Sequence, residues 1–130
     1  MRNKIGLMIA TALLLGAASA YAHHSPSAEF DMSKRITVSG VLTKVDWINP
    51  HITLAMDVKT ESGKLESWSF ESNPPAWFRR VGVNRNDLAK AIGQTVTAEG
   101  VRSKDGSPFG YMQKITLADG TSLELASSIK

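Results

Sequence analysis

Cysteine is absent from this 130-residue chain. Disulfides, thiolate metal sites and cysteine nucleophiles are excluded with it. No large excess of charge exists either, with 15 Lys and Arg against 12 Asp and Glu. No internal repeat or low-complexity tract is visible. The strongest apolar run, Ile5 to Leu15, is too short to cross a bilayer comfortably. Enzyme signatures are missing as well: there is no G-x-S-x-G elbow, no G-x-x-x-x-G-K-[ST] phosphate loop and no H-E-x-x-H. The carboxylates are scattered, and only Glu71 and Glu99 stand near strand ends where a cleft pair would need them. The reading is therefore non-enzymatic. With 42% hydrophobic and 21% charged residues, the chain has the composition of one globular domain.

The first 22 residues have the order of a secretory signal peptide. Arg2 and Lys4 precede the apolar run, and Gly16, Ala17, Ala18, Ser19, Ala20, Tyr21 and Ala22 follow it. Cleavage after Ala22 is favoured over cleavage after Ala20, and it makes His23 the mature terminus. The segment carries two of the 15 basic residues and no acidic ones, so 13 remain against 12 acidic residues. The apparent basicity is mostly leader, which removes the electrostatic case for nucleic acid. The expectation is export to the periplasm, with no membrane span after cleavage.

Residues 23–34 are polar and lack periodicity, so they read as a flexible arm or a loosely docked extension, with the domain running from 35 to 130. Ile36 to Trp47 is a strand whose alternation changes phase, and Gly40 is the natural place for a bulge. Ile52, Leu54, Met56 and Val58 alternate with polar residues, and Glu61-Ser62-Gly63 turns the chain back through Trp68 and Phe70. Asn73 before Pro74-Pro75 suggests an N-cap for a helix over 76–81, and Asn86 or Asp87 a cap for a second one. Strands follow at 96–101, 111–117 and 122–125, with turns at 104–107 and Asp119-Gly120. The fold predicted is all-β: a small OB-like barrel of five to six strands, with a short helical insert between strands three and four. Trp47 and Trp68 are expected inside it.

Three histidines are the candidate metal ligands: His23, His24 and His51. A terminal His23 offers its α-amino nitrogen and Nδ1 to one ion. A second histidine completes a three-nitrogen set suited to Cu(II), and His51 is the only distant one. His24, at mature position two, offers an alternative mode that needs no fold. Copper is thus the only cofactor that the residues suggest. Arg79, Arg80 and Arg85 cluster around the helical insert with Trp77 and Phe78, and Arg102 and Lys104 are possible neighbours. Such a cluster suits an anionic small ligand or an envelope protein. Of Trp77 and Phe78, one is expected to dock and the other to be exposed. Nucleic-acid or polysaccharide binding would need exposed aromatics on the face of strands two and three, where Ile52, Leu54 and Met56 look buried.

Several elements together carry a resemblance: His23-His24-Ser25, Glu29-Phe30-Asp31, Asn49-Pro50-His51, and Glu99-Gly100 followed by Arg102 and Lys104-Asp105-Gly106. The chain resembles a family of small exported proteobacterial proteins of unknown function. The resemblance implies a periplasmic, compact, β-rich domain and no particular activity. It also puts the three histidines inside motif positions. Pro26 stands where the family pattern leads one to expect an aromatic that would dock the arm.

Overall fold

The structure is a computed structural model and describes residues 25–125. The expected signal peptide lies outside the described residues, as do His23 and His24. A single turn of helix, α1 (Pro26–Glu29), leads into β1 (Phe30–Asp46). The hairpin β2 (Thr53–Lys59) and β3 (Leu65–Glu71) follows. Two short helices, α2 (Pro75–Arg80) and α3 (Arg85–Ala89), form the insert. Then come β4 (Thr95–Ser103), β5 (Phe109–Thr116) and β6 (Ser122–Glu124).

The strands lie in the order β3-β2-β1-β4-β5-β6. A parallel pairing of Ser69–Glu71 with Phe109–Tyr111 joins β3 to β5 and closes five strands into a barrel, with β6 as one extra strand. This is the OB-like arrangement that the sequence predicts. Closure follows from alternation. Leu54 and Met56 on β2, Trp68 and Phe70 on β3, and Val96 and Ala98 on β4 all point inward and are buried. Each fully buried side chain of this size contributes about 1.5–3 kcal/mol. Leu88 and Ala91 of the insert and Phe78 of α2 cap the same core. Ser72 is stitched beneath them, its hydroxyl donating to the carbonyls of Met112 (3.0 Å) and Leu125 (3.3 Å).

Three local expectations need correction. The irregularity in β1 falls between Leu42 and Lys44, not at Gly40. Val38, Gly40 and Leu42 keep one phase inward and Val41 faces out. Gly40 is needed for a different reason: a Cβ there would collide with the Asp57 carbonyl on β2. The helix caps are also displaced. Pro74 precedes α2, while Asn73 is engaged elsewhere. Asn84, not Asn86 or Asp87, caps α3, in a reciprocal capping box with Asp87 at the third helical position. Finally, the ordered barrel takes in part of the stretch read as an arm. Phe30 and Asp31 already pair with Ser103 and Arg102, and a bulge at Met32–Lys34 interrupts β1 before Arg35 rejoins β4. Sequence periodicity misses this because the bulge scrambles it.

Candidate functional site

The loop between β1 and β2 brings His51 to the barrel end. Its Asn49–Pro50 peptide is cis. Just beyond it, the Ile52 amide donates to the Asn73 carbonyl (3.2 Å) and the Ser72 amide donates to the Ile52 carbonyl (2.9 Å). These bonds extend the β2–β3 pairing past the formal strands and set His51 beside the end of β3. There, His51 Nδ1 pairs with Glu71 Oε1. In a neutral ring, the nitrogen facing a carboxylate oxygen is the N–H, and Nε2 is then the lone-pair nitrogen. His51 retains 36% side-chain exposure and Glu71 20%, so the pair is partly desolvated and still reachable.

Glu71 stands in register between Thr53 on one side and Tyr111 on the other. Tyr111 is buried, and its hydroxyl donates to Asn73 Oδ1 (2.8 Å), while Asn73 Nδ2 donates to the Leu125 carbonyl (3.1 Å). Burial first, and then the neighbouring Glu71 charge, push the Tyr111 hydroxyl above its ordinary pKa. It therefore remains a neutral donor. The amino-terminal segment docks on this same outer face. Phe30 is 2% exposed, and its ring lies 5.6 Å from that of Tyr111 and 5.0 Å from that of Phe109. The Lys104 amide donates to the Glu29 carbonyl (3.0 Å). Phe30, Tyr111, Glu71 and His51 thus form a continuous path along the outside of the barrel.

His51 is the one candidate metal ligand within the described residues. Among them, no group of three or more His, Asp or Glu side chains is arranged to hold an ion. The two carboxylates considered as a cleft pair do not meet. Glu71 is committed to His51, and Glu99 pairs with Lys114 (2.7 Å) on the adjacent strand.

The helical insert carries the second set of candidates. Phe78 is fully buried, and Trp47 and Trp77 both pack edge-on against it at 5.4 and 5.7 Å. Trp77 is half-buried, so Phe78 is the docked member of the pair. Trp47 is half-buried too, at the barrel end and not in its interior; the interior tryptophan is Trp68, stacked on Phe70 at 5.7 Å. Arg79, Arg80 and Arg85 are exposed, and none takes part in an ion pair among the described residues. Arg102 does not join them. It lies over the Trp68 ring at 5.3 Å and donates to the Gly106 (2.5 Å) and Ser107 (3.3 Å) carbonyls of the β4–β5 loop. The outward positions of β2 and β3 are Thr53, Ala55, Asp57, Lys59, Leu65, Ser67, Ser69 and Glu71, and none of them is aromatic.

Sequence reasoning missed Glu71 as the partner of His51, although hairpin register predicts it. A turn at 61–63 sets Thr53 opposite Glu71 and His51 just beyond. Tyr111 and Asn73 had no comparable signal, because the parallel β3–β5 pairing joins distant parts of the chain. No helix among the described residues is long and apolar enough to cross a membrane. Comparison with curated proteins and with solved structures gives no match to this chain. Residues 12–113 match a family of unknown function, DUF6152, and the chain belongs to that family.

Proposed function

We propose that the protein is a non-catalytic periplasmic binding module, and that the species it binds is Cu(II). The His51–Glu71 pair carries this reading. Histidines that ligate metals commonly donate their other ring N–H to a carboxylate, which fixes the tautomer, orients the ring and raises the basicity of the ligating nitrogen. His51 has this arrangement, with Nε2 left to face a metal. The missing donors would come from the amino terminus. His23, freed by signal cleavage, offers an amine and Nδ1, and His24 serves as helper or replacement. Three nitrogens in this set suit the tetragonal preference of Cu(II). Docking of Phe30 against Tyr111 supports the reading, because it holds the segment downstream of His23 on the face that carries Glu71, the register neighbour of Tyr111.

The test is Cu(II) EPR on protein whose terminus at His23 has been verified by mass spectrometry. One copper is expected, with an axial spectrum showing three nitrogen couplings. His51→Ala should remove one nitrogen. Glu71→Gln should keep the spectrum and weaken affinity about 10- to 100-fold. One added residue before His23 should abolish the site. A spectrum that is indifferent to His51 would overturn the proposal and mark the copper as adventitious.

A further inference from the structure

The end of the barrel built by the β1–β2 loop and α2 has a surface that the copper reading leaves unused. Ile48 is 60% exposed and Val81 49% exposed. They flank the Trp47–Phe78 contact, since Ile48 follows Trp47 and the Val81 amide is tied to the Phe78 carbonyl at 3.1 Å. Half-buried Trp77 extends the same apolar ridge. Single exposed apolar residues are ordinary. Here they coincide with a local excess of charge of one sign. Arg79, Arg80 and Arg85 are all exposed on the insert, and no acidic residue occurs between Glu71 and Asp87. The remainder of the chain downstream of residue 22 is close to neutral, so this excess is not a general property of the molecule. None of Ile48, Trp77, Val81, Arg79, Arg80 and Arg85 lines the cavities of about 230 Å³ and 390 Å³ beside β5 and α3.

We infer that this end of the barrel docks on an anionic phospholipid surface. The chemistry matches in three respects. Arginines near a negatively charged bilayer gain about 1 kcal/mol each, or roughly fivefold in partitioning. Aliphatic side chains beside them can enter the headgroup boundary, and a tryptophan suits that interface because its ring is apolar and its N–H is polar. The combination of exposed aliphatic side chains with exposed arginines suits a lipid surface, which offers both an apolar interior and anionic headgroups. The inference does not depend on copper, because none of these residues belongs to the His51–Glu71 path.

The experiment is flotation of the full purified protein with vesicles, in chelator to keep metal out. One set contains phosphatidylcholine alone, and the other about 30% phosphatidylglycerol. Binding is expected only to the anionic vesicles and should fall steeply at high salt. Arg79→Gln with Arg80→Gln should lower partitioning about 25-fold, at fivefold per arginine. Ile48→Ser should lower it further with far-UV circular dichroism unchanged, because that side chain contributes little to the core. Equal binding to both vesicle types, or no binding to either, would overturn the inference. So would full binding by the double arginine variant. Retention on immobilised polyaspartate without vesicle binding would overturn it in favour of an acidic protein partner.

Discussion

At the residue scale, single positions are dictated by how closely backbones approach. A Cβ on Gly100 would strike the Tyr111 carbonyl, and one on Gly110 would meet the Phe70 ring at 2.8 Å. Neither requirement can be read from local sequence, because each depends on a strand elsewhere in the chain. Asp105 is different, since its turn was legible in Lys104-Asp105-Gly106-Ser107. Its Oδ1 accepts from the Ser107 amide (2.9 Å), the Ser103 hydroxyl (2.7 Å) and the Ser107 hydroxyl (2.7 Å). The Ser107 amide first, then the two hydroxyls, lower the Asp105 carboxyl from 3.8 to about 2. A carboxyl depressed in the folded state stabilises fully at neutral pH. That contribution is lost as pH falls from about 4 through the folded value. Asp105→Asn keeps an acceptor in place but cannot titrate. Thermal melts between pH 5 and 2 should therefore show a flatter acid limb in the variant than in the parent protein, and identical limbs would contradict this origin.

At the element scale, the alternating strands were legible and the irregular ones were not. β2 and β3 have a regular period of two, so their hairpin and inward faces could be read directly. β1 runs for 17 residues with two breaks in register, at Met32–Lys34 and at Thr43. The first break hid the docked segment from Phe30 onward, and the second moved the phase change away from the glycine that seemed to mark it. The insert's existence was legible from its prolines and capping residues, but its caps were misplaced by one to three residues. Asn84 is the informative case. Its side chain accepts from the Asn86 (2.9 Å) and Asp87 (3.3 Å) amides, and the Asp87 carboxylate accepts in return from the Asn84 amide (2.8 Å). Asn84→Ala should cost about 1 kcal/mol, measured by urea unfolding. The loss should come mainly from α3, which places Leu88 in the core. A cost near zero would mean that packing alone holds the helix.

At the scale of the whole molecule, the barrel was foreseeable from the order of its strands, whereas the candidate site was only half foreseeable. His51 stood out as a lone histidine after Asn49-Pro50. Its setting did not, because Glu71, Tyr111 and Asn73 come together only through closure of the sheet. That closure rests on three residues of β3 meeting three of β5. β5 also supplies the partner for most of β4 and all of β6. A chain ended after Pro108 lacks every one of these pairings. It should be largely unfolded by circular dichroism and amide exchange, and a cooperative transition in that fragment would refute the central place given to β5. Timing follows from the same pairing. The chain is made from its amino end, and the strand that shuts the barrel begins only at Phe109. Until then, β3 and β4 lack the neighbour that closes the sheet, so the barrel cannot shut. Here the position of one strand in the chain sets the earliest moment in synthesis at which the fold can be completed.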